Sequence, residues 1–531
     1  MPAELLIRGG LVHDGTGARP RRADVVVDDG VIVEVTSRAG HAEAARVIDA
    51  GGLAVSPGFI DVHTHSDVSV LLDGRAESKI HQGVTTEVTG NCGFSPFPLV
   101  GDVLEDQLDL LAGLGHDPVT PTWTDLDGYA VAVEAHGVAV NVAPLVGHGQ
   151  LRIAALGMAE KASAGGIAAM RRLLADQLEQ GAFGMSTGLT YVPSRYAGWA
   201  ELSELCSVLA AHDALYATHA RADVFPAVEE AASLGGATGA RIQYSHVALN
   251  EPASWGNAGR LLEAFEAARR SGIDICCDVY PYDASASALT QYLPAWVQEG
   301  GVPAMRRRLA DPVVSRRAEE ELAGGWGPGG RIPWLWERVV IARGTPAEAS
   351  VPAPDGATIE EAAAAAGMPP ARYVLELCRE GGNSVQVVLF YRTEEDVRTF
   401  LRCEFALMGS DGSAVPFDQR GARPHPRGFG AHARLLGRYT RELGDLDLST
   451  AVRKMTGAVA DRIGLPDRGV LAPGKAADIV VFDPATVTDR ATFLDPCRPP
   501  SGIHHVVVNG EVVIDAGVQT GARPGKVLRS A

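Results

Sequence analysis

The stretch Gly58-Phe59-Ile60-Asp61-Val62-His63-Thr64-His65 is an apolar run that ends in two histidines one residue apart. In a β-strand, residues i and i+2 point to the same side, so both imidazoles can face one metal ion. Ligands delivered at the end of an apolar strand are what a hydrolytic metal site in an α/β barrel needs. We therefore predict that a barrel begins at this stretch.

Strand-like and helical segments alternate through the middle of the chain. Apolar helical spacing is clearest over residues 166–180 and 258–270. Such alternation predicts an α/β fold of the (β/α)8 TIM-barrel type. The eight predicted strands cover residues 58–63, 84–88, 138–143, 182–186, 215–219, 242–246, 273–279 and 405–409.

Both ends of the chain consist of short β-segments without helices between them. Asp28-Asp29-Gly30 and Asn509-Gly510 are typical of hairpin turns. We predict one small β-sandwich domain built from both termini, with residues 1–56 as its first part and 466–531 as its second. Residues 57–465 would then form the hydrolase barrel.

A long insertion, at about residues 283–402, separates the seventh and eighth predicted strands. Its position predicts a lid over the mouth of the barrel. It contains Trp326, Trp334 and Trp336. These side chains either line an apolar pocket or pack the insertion against the barrel, and packing is the favoured interpretation.

The formal net charge is −18, from 47 basic and 65 acidic side chains. An acidic surface disfavours nucleic acid and anionic membranes as partners, but a local cationic pocket still admits an anionic small molecule.

The seven cysteines are an odd number spread over a long chain, which argues against a disulfide framework. No signal peptide and no apolar run of ~18 residues is recognisable, so we expect a cytoplasmic protein.

Three further candidate ligands follow predicted strands. Cys92 lies in Gly90-Asn91-Cys92-Gly93, and His219 and His246 end the fifth and sixth strands. Zinc prefers thiolate and imidazole ligands, so their common placement favours a zinc site over buried structural roles. Asp411 follows the eighth strand, where a carboxylate would project into the barrel mouth. An Asp-Gly turn is the alternative interpretation.

Several motifs together resemble the amidohydrolase superfamily, and within it the N-acyl-D-amino-acid deacylases (D-aminoacylases). The resemblance covers nearly the whole chain, and Asn91-Cys92-Gly93 and His425-Pro426-Arg427 are its most specific elements. The matching motifs are residues 58–67, 90–96, 184–191, 278–282, 410–412, 425–427 and 474–480.

The resemblance implies one tightly held zinc ion on Cys92, His219 and His246. It implies a weaker second metal position lined by His63 and His65. Many superfamily members bridge two metals with a carbamylated lysine on strand four, but residues 181–187 contain no lysine. That absence argues against hydantoinase-like enzymes.

The resemblance also implies a reaction and a substrate. Asp411 would act as general base and then as general acid in the hydrolysis of N-acyl-D-amino acids. Arg427 would bind the α-carboxylate, because a planar guanidinium matches a carboxylate. Tyr280 or Tyr282 would add a hydroxyl donor.

One position departs from the family pattern. The family usually has a lysine two residues after the strand-six histidine, where this chain has Ala248. Either another cation such as Arg221 or Arg423 replaces it, or the preferred substrate differs. Apart from arginines, nothing basic marks a pocket for acidic side chains, so hydrophobic or neutral side chains are favoured.

Two alternatives remain open at this stage. The first is another amide hydrolase on the same scaffold, a dipeptidase or a hydantoinase-like cyclic amidase. The second is a non-catalytic scaffold, which the presence of all the ligands and the base disfavours. The sequence assigns no oligomeric state and no acyl-chain preference.

Weaker candidates, each with an equally good structural interpretation, are Asp61 as an acceptor for a ligand histidine, and Glu77, Lys79, His148 and His425.

Overall fold

The computed structural model describes residues 3–37, 44–345, 349–419 and 422–530. The strands of this part of the chain are short where they carry the candidate site and longest at the N-terminus. In chain order they are β1 (Ala3–Val12), β2 (Arg21–Asp28), β3 (Val31–Thr36), β4 (Ala44–Asp49), β5 (Ala54–Pro57), β6 (Phe59–Asp61), β7 (Val84–Thr89), β8 (Asn141–Pro144), β9 (Val146–Gly147), β10 (Gly184–Gly188), β11 (Leu215–His219), β12 (Arg241–Tyr244), β13 (Ile275–Val279), β14 (Ser285–Ala288), β15 (Val339–Arg343), β16 (Gln386–Leu389), β17 (Ala406–Met408), β18 (Ile479–Phe482), β19 (Ile503–Val508), β20 (Glu511–Asp515) and β21 (Val518–Gln519).

The helices lie between the central strands, as the apolar spacing predicts. They are α1 (Ser69–Leu72), α2 (Glu77–Ile80), α3 (Leu104–Leu111), α4 (Leu126–His136), α5 (His148–Leu156), α6 (Ala164–Glu179), α7 (Trp199–Ala211), α8 (Val224–Thr238), α9 (Ala258–Arg270), α10 (Ala295–Gln298), α11 (Gly301–Ala310), α12 (Pro312–Ala323), α13 (Ile359–Ala365), α14 (Pro370–Gly381), α15 (Glu394–Arg402), α16 (Arg427–Arg434), α17 (Leu448–Lys454) and α18 (Gly457–Ile463). A π-helical segment, Leu435–Glu442, continues α16. None of the described helices is long and apolar enough to cross a membrane.

Parallel strands form the centre of the molecule in two connected sheets, with orders β6-β7-β8 and β17-β13-β12-β11-β10-β9. Leu145 alone separates β8 from β9. At the other edge, an isolated parallel bridge joins Thr64, after β6, to Gly412, after β17. The eight predicted strands are confirmed to within a few residues, and the fold is of the TIM-barrel type.

Side chains alternate between the two faces of these strands, as expected for strands with an interior core and an outer helical layer. Leu215 and Ala217 of β11 pack in one core with Val88 and Leu407 from other strands. Tyr216, between them, packs in the larger core that includes the helices. Because these strands are parallel, their carboxyl ends meet at one rim, where the candidate ligands lie.

Strands from both termini form one nine-stranded sheet, as predicted for the chain ends. Its order is β21-β20-β19-β18-β5-β1-β2-β3, with β4 paired to β1. The antiparallel pairing of β5 with β18 joins the two ends of the chain. One face of the sheet packs in its own core, and the other contributes Val480 and Phe482 to the core that contains Phe59 at the start of β6.

The insertion has its own antiparallel sheet, with order β14-β16-β15, and its own hydrophobic core. The three tryptophans pack mainly within this core, and the rings of Trp334 and Trp336 stack with centroids 4.1 Å apart. The prediction that these tryptophans pack the insertion against the barrel is therefore wrong, because they pack within the insertion itself. Trp326 also lines the central cavity, because it lies on the side of the insertion that faces the barrel mouth.

Candidate metal centre

The candidate ligands lie at or just past the ends of their strands. His63 follows β6, Cys92 follows β7, His219 ends β11, His246 follows β12 and Asp411 follows β17. Because all these strands are parallel, their ends bring the five side chains to one rim. Sequence spacing predicted this convergence, and the structure places the side chains together.

Three of these residues have left-handed backbone conformations. The φ angles are 55° at Cys92, 36° at His246 and 53° at Asp411. Side chains other than glycine adopt positive φ at a cost of about 1–3 kcal/mol, and such residues cluster at functional sites. The turns after three separate strands thus hold unfavourable backbone geometry that points each side chain into the rim. The local sequence gives no indication of these positive φ angles.

The thiol of Cys92 lies at the centre of the cluster. Its Sγ is 3.3 Å from His63 Nε2 and 3.4 Å from His246 Nε2. The rings of His219 and His246 meet edge to face with centroids 4.5 Å apart. Two overlapping groups each have donor atoms within 4.8 Å of one another: Cys92, His219 and His246, and His63, His65, Cys92 and Asp411.

The chemistry of this donor set fits zinc. Thr190 Oγ1 holds Nε2 of His219 at 2.8 Å, and Nδ1 of the same ring is buried without a protein partner. Nδ1 of His65 is also buried and unpartnered. Buried polar atoms normally have partners, so orphaned imidazole nitrogens beside a thiol indicate ligand positions for a metal ion. The two overlapping groups would accommodate one ion, or two that share Cys92.

Burial lowers the pKa values of the strand-five and strand-six histidines. The pKa of His246 falls to about 3, mainly from burial, although Asp411 opposes the shift. Burial likewise holds the pKa of His219 well below its ordinary value, and His246 adds to the effect. Both rings are therefore neutral at pH 7, which is the form in which imidazole binds metal ions.

Asp278, at the end of β13, supports two ligands from behind. Its Oδ1 lies 3.2 Å from His63 Nδ1 and accepts a hydrogen bond from the backbone N–H of His246 at 2.7 Å. Gln243 donates to its Oδ2 at 2.9 Å. A carboxylate behind a ligand histidine fixes the tautomer and ring orientation. In the sequence, Asp278 stands out only as the first residue of the matching motif 278–282, and its role behind the ligands was not predicted, although its place at the end of a barrel strand indicates it.

Asp411 connects the cluster to a guanidinium group. Its Oδ1 lies 2.9 Å from His65 Nε2 and 3.4 Å from His63 Nε2. Its Oδ2 forms an ion pair with Arg427 Nη1 at 2.6 Å. Burial alone would raise the pKa of this carboxyl, but Arg427, His246 and His63 together hold it well below its ordinary value. Asp411 is therefore ionised at the rim.

A fully buried charge network lies beneath the rim. Lys79 Nζ donates to Asp61 Oδ2 at 2.8 Å and lies 3.5 Å from Glu87 Oε1. Asp61 Oδ1 accepts from the backbone N–H groups of His63 and Ser410, at 3.3 and 2.8 Å. Asp61 thus positions the backbone of His63 rather than an imidazole. Lys79 holds Asp61, which in turn holds the backbone of His63.

A cavity of about 240 Å³ opens above the cluster and is lined by both barrel and insertion. Tyr280, Ala248 and Arg427 line it. His425 holds Arg427 in place, since its Nδ1 accepts from the Arg427 backbone N–H at 3.0 Å. Tyr282 instead packs beneath Arg434, whose guanidinium lies 4.8 Å from the ring centroid, and it is not among the residues that line this cavity.

Two weaker candidates have structural partners away from the cluster. His148 is buried, with Nδ1 2.9 Å from Ser194 Oγ and Nε2 2.8 Å from Glu201 Oε1. The interpretation that it reaches the site is therefore wrong, because it faces the neighbouring helix. Glu77 accepts from the backbone N–H of Phe417 at 3.0 Å, which is a loop-fixing contact.

Comparison with known proteins agrees with this geometry. Residues 46–323 and 337–514 match the amidohydrolase family. The chain is 38% identical over 534 residues to the N-acyl-D-glutamate deacylase of Alcaligenes xylosoxydans xylosoxydans, covering 99% of this chain and 96% of that protein. It is 37% identical to the D-aminoacylase of the same organism, covering 99% and 98%.

A solved structure has the same fold throughout. The N-acyl-D-glutamate deacylase of Bordetella bronchiseptica, complexed with zinc and a phosphonate mimic of the tetrahedral intermediate, has a TM-score of 0.83 and 34% identity over the full length of both chains. The chain is thus a member of the amidohydrolase family of metal-dependent hydrolases. Relatives that match nearly the full length of the chain include a D-aminoacylase and an N-acyl-D-glutamate deacylase.

Proposed function

We propose that this protein hydrolyses the amide bond of N-acyl-D-amino acids, giving a carboxylate and a free D-amino acid. The observation that carries the proposal is the place of Asp411, which lies between the ligand cluster and Arg427 on the wall of one cavity. The proposed proton-transfer group would thus contact both the metal site and the cation that binds the substrate carboxylate. The full-length similarity to D-aminoacylase and N-acyl-D-glutamate deacylase supports the same reaction.

Cys92, His219 and His246 would hold the tight zinc ion, and His63 with His65 would line the weaker second position. When bound, zinc supplies Lewis-acid polarisation of the amide carbonyl and lowers the pKa of water to about 7. Asp411 is ionised, so it can take the proton of the attacking water and deliver it to the departing amine. Asp278 keeps His63 and the backbone of His246 in place.

Arg427 and Tyr280 would bind the substrate's α-carboxylate. The guanidinium carbon of Arg427 lies 4.9 Å from the centroid of the Tyr280 ring, and the Tyr280 hydroxyl is buried without a hydrogen-bond partner. A carboxylate between them would satisfy that hydroxyl and use the donors of Arg427 that Asp411 leaves available. The packing of Tyr282 beneath Arg434 supports Tyr280 as the donor of the pair.

The rival functions have less support. A hydantoinase-like site would be expected to carry a bridging lysine on strand four, and β10 has the sequence Gly184-Met185-Ser186-Thr187-Gly188. A non-catalytic scaffold has no need of an ionised, buried Asp411 beside unpartnered imidazole nitrogens. A dipeptidase is distinguished by its substrate, since it requires a free α-amino group that an N-acyl substrate lacks.

The test is a panel of N-acetyl-D-amino acids, N-acetyl-L-amino acids and dipeptides, assayed with zinc-loaded wild type and Asp411→Asn. We expect turnover of the D-forms by wild type. Asp411→Asn should keep its zinc, measured by metal analysis, and lose about 10²–10⁴-fold in kcat because the proton acceptor is gone. Chelation should abolish activity, and added zinc should restore it. Activity confined to L-forms or dipeptides would overturn the proposal.

We also propose the domain limits 1–56, 57–465 and 466–531, with the insertion at about 283–402. The terminal sheet would close on itself as a sandwich, which is supported by a single core shared by Leu5 and Val25 from one end of the chain and Val481 and Val507 from the other.

A cytoplasmic location is supported by seven cysteines that are all free thiols. The acidic charge supports a small-molecule partner rather than nucleic acid or membrane.

A further inference from the structure

Among the described residues, four arginines line the central cavity: Arg221, Arg343, Arg392 and Arg427. Three of them are paired with acids. Arg221 lies 3.0 Å from Glu230, Arg343 lies 3.0 Å from Asp117, and Arg427 lies 2.6 Å from Asp411. Over residues 3–37, 44–345, 349–419 and 422–530, Arg392 has no carboxylate within ion-pair distance. The cavity therefore has one cation whose charge the described protein leaves uncompensated.

Arg392 is held with its guanidinium over the ring of Tyr280. It lies between β16 and α15, where the insertion returns to the barrel. Its Nε donates to Asn250 Oδ1 at 2.9 Å, in the loop after β12 that also contains Ala248. Its guanidinium carbon lies 4.6 Å from the centroid of the Tyr280 ring. Only Nε has a hydrogen-bond acceptor in the part of the protein that the structure describes, so both Nη groups keep their donors.

Two guanidinium groups thus flank one tyrosine whose hydroxyl is unpartnered. Tyr280 is 1% exposed, and both Arg392 and Arg427 lie within 5 Å of its ring centroid. Two guanidinium forks and one hydroxyl match the several acceptor positions of a carboxylate. The ion pair of Arg427 with Asp411 has no net charge, so among the side chains around Tyr280 it is Arg392 that would add a positive charge for an anion, beside the charge of the metal ion.

We propose that Arg392 is the second carboxylate-binding residue of this site and selects substrates with a free α-carboxylate. The inference rests on the proposed function and names the residue that makes the site specific for acids over amides. It replaces the expectation that Arg221 or Arg423 fills this role. Arg221 is committed to Glu230 and to two backbone carbonyls, and Arg423 is exposed.

The test uses N-acetyl-D-leucine and N-acetyl-D-leucinamide with zinc-loaded wild type, Arg392→Gln, Arg392→Lys and Arg338→Gln. Arg338 is the matched control, an exposed arginine of the insertion that packs over Trp255 outside the cavity. We expect Arg392→Gln to raise KM for the acid by about 10- to 100-fold with little change in kcat, the range of one charged hydrogen bond. KM for the amide should not change. Arg392→Lys should recover part of the loss, and Arg338→Gln should resemble wild type.

With N-acetyl-D-leucine and its amide, two outcomes would overturn this assignment. One is an unchanged KM for the acid in Arg392→Gln. The other is an equal rise for the acid and the amide, which would indicate a structural effect. A comparison of N-acetyl-D-glutamate with N-acetyl-D-glutamine adds a third check, because a loss confined to D-glutamate would place Arg392 at the side-chain carboxylate and reject the α-carboxylate.

Failure of the proposed function is separable from failure of this inference. If wild type hydrolyses none of these compounds, the proposed function is wrong, and calorimetric binding of N-acetyl-D-leucine still tests the carboxylate site. Wild type should then bind the acid at least tenfold more tightly than Arg392→Gln does. Equal binding by the two proteins, or none by either, would reject the role of Arg392.

Discussion

Glu87 is a buried carboxyl whose charge is only partly compensated. It follows Thr86 in β7, accepts from Ser66 Oγ at 2.7 Å and lies 3.5 Å from Lys79 Nζ, while its Oε2 has no partner. Burial raises its pKa to about 7, although Lys79 opposes the shift. Lys79 is shared with Asp61, which it contacts at 2.8 Å, so one cation serves two buried acids.

A pH dependence of stability follows from this raised pKa. The native state binds the Glu87 proton more tightly than the unfolded state does, so the stability from this group is complete below about pH 4 and is lost as pH rises through about 7. Glu87→Gln keeps the neutral form at every pH. Between pH 5 and pH 8, the free energy of unfolding of the variant should gain about 2–3 kcal/mol relative to wild type.

Urea unfolding at a series of pH values would measure this difference. Glu263→Gln, on the exposed face of α9, is the control and should follow wild type at every pH. Parallel curves for wild type and Glu87→Gln would show that Glu87 is charged in the native state at pH 5 and would contradict the assigned pKa.

Residue types at strand ends could be predicted from the sequence, but their partners could not. His63, Cys92, His219, His246 and Asp411 each follow or end a predicted strand, and that local pattern, together with the family resemblance, selected them as candidates. The pairing of Arg392 with Tyr280 joins positions 112 residues apart (392 − 280) in two different elements. The charge network of Lys79 was missed for the same reason, since burial is a property of the folded chain.

At the level of elements, α15 shows how the insertion is joined to the barrel. Asp396, in its first turn, is 4% exposed and accepts from Thr393 Oγ1 at 2.6 Å. The same carboxylate accepts from the backbone N–H of Gly256 at 2.9 Å and that of Ala258 at 3.3 Å, at the start of α9. One acid therefore satisfies donors at the N-termini of two helices, where negative charge is favourable.

Asp396→Ala should destabilise the protein by about 2–3 kcal/mol, because buried N–H groups of α9 lose a charged acceptor. The free energy of unfolding from urea denaturation of the zinc-loaded protein would measure the loss. Glu395→Ala, at the exposed neighbouring position, should change stability by less than about 0.5 kcal/mol. Equal effects of the two substitutions would mean that Asp396 is not a shared cap.

The helix itself was predictable and its cap was not. The apolar spacing over residues 258–270 predicted α9 with the bounds that are observed, since the period of 3.6 is local in sequence. Asn257, the residue before α9, makes no side-chain capping hydrogen bond. The acceptor comes instead from Asp396, and no pattern within one segment can indicate an acceptor so distant.

Across the whole molecule, the chain ends return to the barrel. The segment after β21 runs parallel to the start of β8, with bridges between Val138 and Pro524 and between Val142 and Val527. Gly525 N–H donates to Val138 O at 2.9 Å, and Leu528 N–H donates to Val142 O at 2.7 Å. The strand-like ends predicted a shared terminal sheet, but the return of the tail depends on backbone carbonyl and N–H groups at and just before β8 that only the folded barrel presents.

Removal of residues 522–531 should therefore destabilise the barrel and leave the reaction intact. It deletes four backbone hydrogen bonds, made by Gly525, Lys526, Leu528 and Ser530, and it exposes the core that Val527 covers. At about 1 kcal/mol for each hydrogen bond and about 2 kcal/mol for the valine, the loss is about 6 kcal/mol.

Removal of residues 529–531 alone deletes one of these bonds and should cost about 1 kcal/mol. Urea midpoints of both truncated proteins, together with kcat at 25 °C, would test this. The tail pairs with β8 from its amino end, away from the rim that carries Asp411, so kcat should match the full-length protein. A midpoint equal to that of the full-length chain would show that the tail contributes no stability to the barrel.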